Sequence, residues 1–341
     1  MSAARPVDPE RLRAFLDSAA TPRVTRIGHG QSNLTFLVEA DGRRMVLRRP
    51  PEGPLPPSAH DVLREHRVIS ALRDSAVRVP RPIAACDDPD VLGAPFYLME
   101  AIDGDAIRFE LPAGLVGQER AIGEQVVDAL ARLHATDPAA VGLADLGRPS
   151  GYLERQLRRW TGQLEHARVR ATADLDRTTE WLRSHLPAEE GPAAIVHGDY
   201  KLDNLLFGFG APARLAAVVD WEMATLGDPL ADLGWLLAFW REPGEQPLGI
   251  PILPRVTEAG GFPTRAELVE RYAAGVGRAL PELRFYLVLA GWKLAVLLEG
   301  HWARHVRGTA AGFEFGYLES GGPRLWEWAW GLASARASPS G

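Results

Sequence analysis

Between His197 and Asp220 the chain carries side chains whose types and spacing could serve one reaction. His197-Gly198-Asp199 opens a polar segment that Asn204 closes, and Asp220 follows at the end of an apolar run. Moving a phosphoryl group needs an acceptor oxygen held in line, a carboxylate to take its proton, and oxygen ligands for the magnesium that neutralises a triphosphate. In that chemistry Asp199 is the expected base, and Asn204 and Asp220 are the expected metal ligands. A plainer alternative has Asp199 and Asn204 capping turns and Asp220 capping a helix.

Three further elements, in the order phosphoryl transfer from ATP requires, favour the chemical reading. Gly28-His29-Gly30-Gln31-Ser32-Asn33 lies between two β-type runs, where glycines let backbone N–H groups approach a phosphate. This places Gly28, Gly30, Ser32 and Asn33 at the nucleotide, although a plain hairpin turn would look the same. Arg48 on the next strand and Glu65 on the following helix form a cation–acid pair able to aim the cation at the α- and β-phosphates. Strand alternation puts Val46 on the same face as Arg48, so Val46 packs against adenine while Arg49 points away. Phe96 to Gly104 is an apolar strand running into a turn, and its Glu100 C=O and Ile102 N–H are candidate adenine contacts, although an ordinary buried edge strand would look the same.

These groups need a scaffold, and the surrounding pattern supplies one. Val24–Ile27, Leu34–Ala40 and Arg43–Arg49 read as strands, with Asp41-Gly42 as a tight hairpin turn. A helix over Ala59–Asp74 buries Val62, Ile69 and Leu72, with Leu63 and Val68 flanking. Strands at Pro82–Cys86 and Pro95–Glu100 complete a five-stranded antiparallel sheet. From Gln118 the pattern turns helical, interrupted by short strands at Ile195-Val196, Leu205–Phe207 and Leu215–Val219. The predicted organisation is a nucleotide-binding lobe over residues 1–101 and a larger, mainly helical lobe over 102–341.

Composition bounds the alternatives. The chain has 341 residues, 46% of them hydrophobic, enough for one large core or two moderate ones. Lys and Arg number 38 against 44 Asp and Glu, a net charge of −6 that argues against nucleic acid as a partner. The single cysteine, Cys86, excludes an internal disulfide and suits a reducing cytoplasm. Met1–Glu10 reads as a disordered arm, and the tail from Ala333 is low in complexity. Phe285–Leu298, broken by Lys293, reads as a buried helix and predicts no membrane span. Serine-hydrolase elbows and zinc motifs are missing from the sequence. His197 is expected to bond the loop backbone, and the tryptophans to pack the helical core. Lys293, His301, Arg304, His305 and Arg307 suit either a solvated helix face or an anionic substrate.

This ordered set resembles the aminoglycoside phosphotransferase and choline kinase group of the protein-kinase-like fold, from about Arg23 to Trp330. His197-Gly198-Asp199 has Gly where protein kinases have Arg, Asp220-Trp221-Glu222 stands in place of Asp-Phe-Gly, and Gly227-Asp228-Pro229-Leu230-Ala231-Asp232-Leu233-Gly234 follows. The resemblance implies a two-lobed α+β fold, ATP and Mg2+ as cofactors, a small-molecule hydroxyl as acceptor, and Asp228 and Asp232 bracing the catalytic loop. Val46-Leu47-Arg48-Arg49-Pro50-Pro51, Gly151-Tyr152-Leu153-Glu154-Arg155-Gln156 with Trp160, and Glu299-Gly300-His301-Trp302-Ala303-Arg304 are similar to the kinase-like domains associated with acyl-CoA dehydrogenases, which implies a hydroxyacyl-CoA or related acyl substrate. Arg48 departs from the lysine usual in kinases. An antibiotic kinase and a non-catalytic nucleotide-binding regulator are the alternatives, and oligomeric state is left open.

Overall fold

The computed structural model describes residues 7–28, 33–51, 61–188, 191–310 and 315–335. Five strands, β1 (Arg23–Ile27), β2 (Leu34–Ala40), β3 (Arg43–Arg49), β4 (Pro82–Cys86) and β5 (Phe96–Glu100), form an antiparallel sheet in the order β1-β2-β3-β5-β4. Asp41 and Gly42 take φ of 48° and 72°, the left-handed pair that a two-residue hairpin needs, so Ala40 pairs with Arg43. The pleat then sorts side chains by parity. Met45 and Leu47 join Leu34, Phe36, Val38, Phe96 and Leu98 in a core on one face, whereas Val46 packs with Tyr97 and Met99 into the main core on the other.

The first of these cores is closed by α1 (Pro9–Leu16), which corrects the expectation of a disordered arm through Glu10. Asp8 accepts the N–H groups of Glu10 and Arg11, Pro9 sits in the first turn, and Val7 and Leu12 are buried, so capping and burial together fix the segment. The short α3 (Pro89–Leu92) packs beside it. On the opposite face α2 (Val62–Leu72) buries Val62, Val68, Ile69 and Leu72, and with them the charged Glu65. Residues 59 and 60 of the predicted helix lie outside the described residues.

Beyond the sheet come α4 (Glu119–Ala135), α5 (Tyr152–Ala167), α6 (Ala173–Ser184), α7 (Pro229–Phe239), α8 (Arg265–Val276), α9 (Arg284–Val306) and α10 (Leu318–Ser334). The α9 helix is the axis of this lobe, packed against α5, α6, α7 and α10. Two small sheets carry the polar segment: β6 (Asp105–Ala106) with β8 (Leu205–Phe207) and β9 (Leu215–Val218), and β7 (Ala194–Val196) with β10 (Thr225–Gly227). β6 and β10 were not anticipated, being too short to show alternation. Nor was α7, which buries Leu230, Leu233, Trp235, Leu236 and Leu237 around its circumference and so has no polar face to betray a helical period. Ala333, assigned to the tail, is buried in α10. Trp160, Trp221, Trp235, Trp240, Trp292 and Trp326 are buried, as core packing requires. No described helix is long and apolar enough to cross a membrane. The architecture is the protein-kinase-like fold, a sheet lobe on a helical lobe.

Candidate active site

The loop between β7 and β8 is fixed from beneath by α7. Asp232 accepts the backbone N–H groups of His197 at 2.5 Å and Gly198 at 2.8 Å, which matches the bracing role expected of it. Asp228 instead caps α7 through Leu230 N–H and accepts the Tyr286 hydroxyl at 2.7 Å. Gly198 has φ of 82°, and a Cβ there would lie 2.7 Å from Met223 O, so no larger residue fits. His197 is fully buried; Asp199 N–H donates to its Nδ1, leaving Nε2–H to donate to Val219 O at 3.0 Å. The histidine therefore ties the loop to the strand end, as a structural residue.

This frame sets the Asp199 carboxylate among four hydrogen bonds. Lys201 Nζ lies 3.0 Å from Oδ1 and 2.8 Å from Oδ2, Trp235 Nε1 donates to Oδ1 at 2.8 Å, and Asn204 Nδ2 to Oδ2 at 2.9 Å. Burial pushes the carboxyl up, but the charge and hydrogen bonds of Lys201, with the charge of Lys293, outweigh it and hold its pKa below the ordinary value. An ionised carboxylate beside a cleft is what a proton acceptor requires at neutral pH.

Asn204 uses Nδ2 twice, on Asp199 O and Oδ2, which orients its amide and leaves Oδ1 as an acceptor. Its backbone O accepts Val219 N–H at 2.9 Å, bringing the residue before Asp220 against the loop. Asp220 is left-handed, with φ of 67° and ψ of 61°, a conformation a non-glycine residue holds only under tertiary constraint. That bend turns its carboxylate back toward the sheet lobe, where Oδ1 takes Arg48 Nη2 at 3.1 Å. Among the described residues no cluster of three His, Cys, Asp or Glu side chains could hold a metal. The amide-and-carboxylate oxygen pair fits Mg2+, whose remaining positions are normally filled by water and phosphate oxygens.

Arg48 also pairs with Glu65, Nη1 to Oε1 at 3.0 Å, and Glu65 in turn accepts Trp221 N–H at 3.1 Å. Burial pushes the Glu65 carboxyl up to about 7 against the opposing pull of Arg48. The predicted pair thus exists, and it reaches further than the sequence suggested, to the segment bearing Asp220. Gly28 ends β1 with φ of 75°; Gly30 and Ser32, with His29 and Gln31, lie outside the described residues. Asn33 is buried and donates from Nδ2 to Glu222 Oε2 at 3.2 Å, across from one lobe to the other. Val46 is half-buried on the face turned to the main core, and Glu100, at the end of β5, and Ile102 flank the exit from the sheet, where Ala101 N–H donates to Arg44 O.

Lys201 and Trp235 were not among the candidates, and Lys293 entered only within a positive cluster suited to a solvated face or an anionic substrate. Lys201 stood in plain view two positions after Asp199. Trp235 and Lys293 are remote from Asp199 in sequence, and no local pattern tied either to the loop. For Lys293 the solvated-face reading is corrected: its Nζ donates to Gly198 O at 2.8 Å and lies 4.0 Å from the centre of the Trp235 ring, because α9 turns this side inward against α5 and α7.

Comparison with known proteins places the whole fold among relatives. The family model for the APH phosphotransferase enzymes matches residues 23–286. Acyl-CoA dehydrogenase family member 11 of Rattus norvegicus is 35% identical over 296 residues, which is 86% of this chain but 38% of that protein, so the chain spans under two fifths of the relative's length. A crystal structure from Ralstonia eutropha, named for aminoglycoside phosphotransferase, superposes with a TM-score of 0.81 at 32% identity, covering 96% of this chain and 98% of that one. A thermostable mutant of aminoglycoside phosphotransferase APH(4)-Ia, seen in complex with ADP and hygromycin B, shares the fold at 15% identity, with a TM-score of 0.61 over 96% of this chain and 99% of its own. The chain accordingly belongs to the APH phosphotransferase enzyme family.

Proposed function

We propose that the protein transfers the γ-phosphoryl group of ATP, with Mg2+, to a hydroxyl of an acyl metabolite such as a hydroxyacyl-CoA. The observation that carries the reading is the ionised Asp199 carboxylate, held by Lys201, Trp235 and Asn204, on a loop whose Asn204 O takes the N–H of Val219, the residue before Asp220. Asn204 and Asp220 would hold the magnesium, which neutralises charge on the triphosphate. Arg48, Val46, the loop from Gly28 to Asn33, Glu100 C=O and Ile102 N–H would hold the nucleotide, with residues 1–101 forming its lobe.

The acceptor oxygen attacks the γ-phosphorus, the bond to the β-phosphate oxygen breaks, ADP leaves, and the hydroxyl proton passes to Asp199. Four hydrogen bonds from three groups, Lys201, Trp235 and Asn204, already reach that carboxylate, so the acceptor hydroxyl must displace one of them. The acyl class is supported by the kinship with acyl-CoA dehydrogenase family members. An antibiotic acceptor is the second reading, favoured by the name of the Ralstonia structure. Drug-susceptibility testing of an expressing strain separates them: resistance supports the second. A non-catalytic nucleotide-binding role is the third reading, and magnesium-dependent ATP binding without a phosphorylated product would support it.

The test is Asp199→Asn. With acyl-linked hydroxyl compounds and ATP, turnover should fall by roughly 10²–10⁴-fold while ADP still binds. Turnover near that of the native protein would remove Asp199 from the base role.

A further inference from the structure

The Gly151–Gln156 and Trp160 motif is not used by any step above, yet α5 brings it to the back of the catalytic loop. Tyr152, Gln156 and Trp160 line a cavity of ≈ 20 Å3 together with Gly198, Asp232, Trp235 and Lys293. That is room for one water-sized group rather than a whole substrate.

Apart from the Tyr152 hydroxyl and the Asp232 carboxylate, the polar side chains in its wall can turn donors toward it. Lys293 Nζ has three N–H groups and one hydrogen-bonding acceptor, Gly198 O, and among the described residues no carboxylate lies within ion-pair distance of it. The rings of Trp235 and Trp160, at 4.0 and 5.5 Å, support the ammonium with their faces but saturate none of its N–H groups. Gln156 Oε1 accepts Trp160 Nε1–H at 3.1 Å, which orients its amide and leaves the Nε2 donors for the cavity. Asp232 offers nothing, since its oxygens take His197, Gly198 and His134. A partly desolvated cation and an amide N–H2 around a space of this size select an electron-rich oxygen. The position matters equally: Trp235 carries Asp199 on its indole N–H and Lys293 over its face, and Gly198 directly precedes Asp199.

We propose that this cavity is the anchoring site for a carbonyl or carboxylate oxygen of the acceptor, bound by Lys293 and Gln156 a few bonds from the hydroxyl presented to Asp199. The assignment rests on the phosphotransfer reading and adds which residues hold the acyl oxygen of the acceptor. It makes Lys293 a specificity-determining residue.

The experiment follows ADP release from ATP and Mg2+ with three probes: β-hydroxybutyrate, its N-acetylcysteamine thioester, and sec-butanol, which keeps the hydroxyl but lacks the second oxygen. Stimulation by either oxygen-bearing probe and none by sec-butanol is expected. Lys293→Gln and Gln156→Leu should each raise the KM of the active probe about tenfold or more with a smaller change in kcat, and Lys293→Arg should recover part of the loss. ADP binding by each variant reports that it is folded. Equal stimulation by sec-butanol, no stimulation by any probe, or an unchanged KM in a folded Lys293→Gln protein would overturn the site. Asp199→Asn separates the two levels: if it abolishes the stimulated turnover while Lys293→Gln leaves KM alone, the anchor fails and the phosphotransfer reading stands.

Discussion

Arg48 and Asp220 meet across the cleft, Nη2 to Oδ1 at 3.1 Å, while the other end of the same guanidinium holds Glu65 at 3.0 Å. A planar fork can serve two carboxylates at once, and an ammonium on a flexible stem serves them less well. Arg48→Lys should therefore fold but lose about tenfold in kcat/KM for ATP. Arg48→Met leaves the buried Glu65 without its cation and should cost about 3–5 kcal/mol in urea unfolding. An Arg48→Lys protein with native kinetics would show that the link to Asp220 is not used.

Lys201 controls when Asp199 is charged. Because the folded pKa of Asp199 is depressed, the base form persists below the ordinary carboxylate range and is lost only as pH falls through that lowered value. Lys201→Met removes the foremost cation offsetting burial, so the acid limb of the kcat/KM profile should move up toward neutrality, and kcat should fall. A limb that stays in place would mean that another group sets it.

Gly198 should be intolerant of any side chain. Its positive φ and the 2.7 Å approach of a Cβ to Met223 O penalise even Gly198→Ala, and the neighbouring Asp199 would shift with the backbone. Turnover should drop about 100-fold or more, since small displacements of a reacting group have effects of that order. Retained activity would show that the loop can relax.

Arg170 joins α10 to α9. Its guanidinium donates to both oxygens of the buried Glu299 and to Leu318 O and Glu319 O, between the rings of Trp302 and Trp326 at 4.9 and 4.6 Å. Arg170→Ala should destabilise the fold by about 3–5 kcal/mol by stranding Glu299, and Arg170→Lys should rescue little. Chemical denaturation decides this, and a loss below about 1 kcal/mol would mean that the pair is dispensable.

Local rules along the chain were enough for several features. Asp41-Gly42 dictated the hairpin, parity along β3 separated Val46 and Arg48 from Met45 and Leu47, and the close spacing of Asp199 and Asn204 put both on one loop. Only tertiary structure decided the rest. α7 has no polar face to mark its period, Glu65 became buried because Arg48 and Trp221 N–H await it, and Lys293 looks inward because three helices converge there. Such choices depend on which distant groups arrive to satisfy a buried polar atom. A one-dimensional pattern records the atom and not its partner.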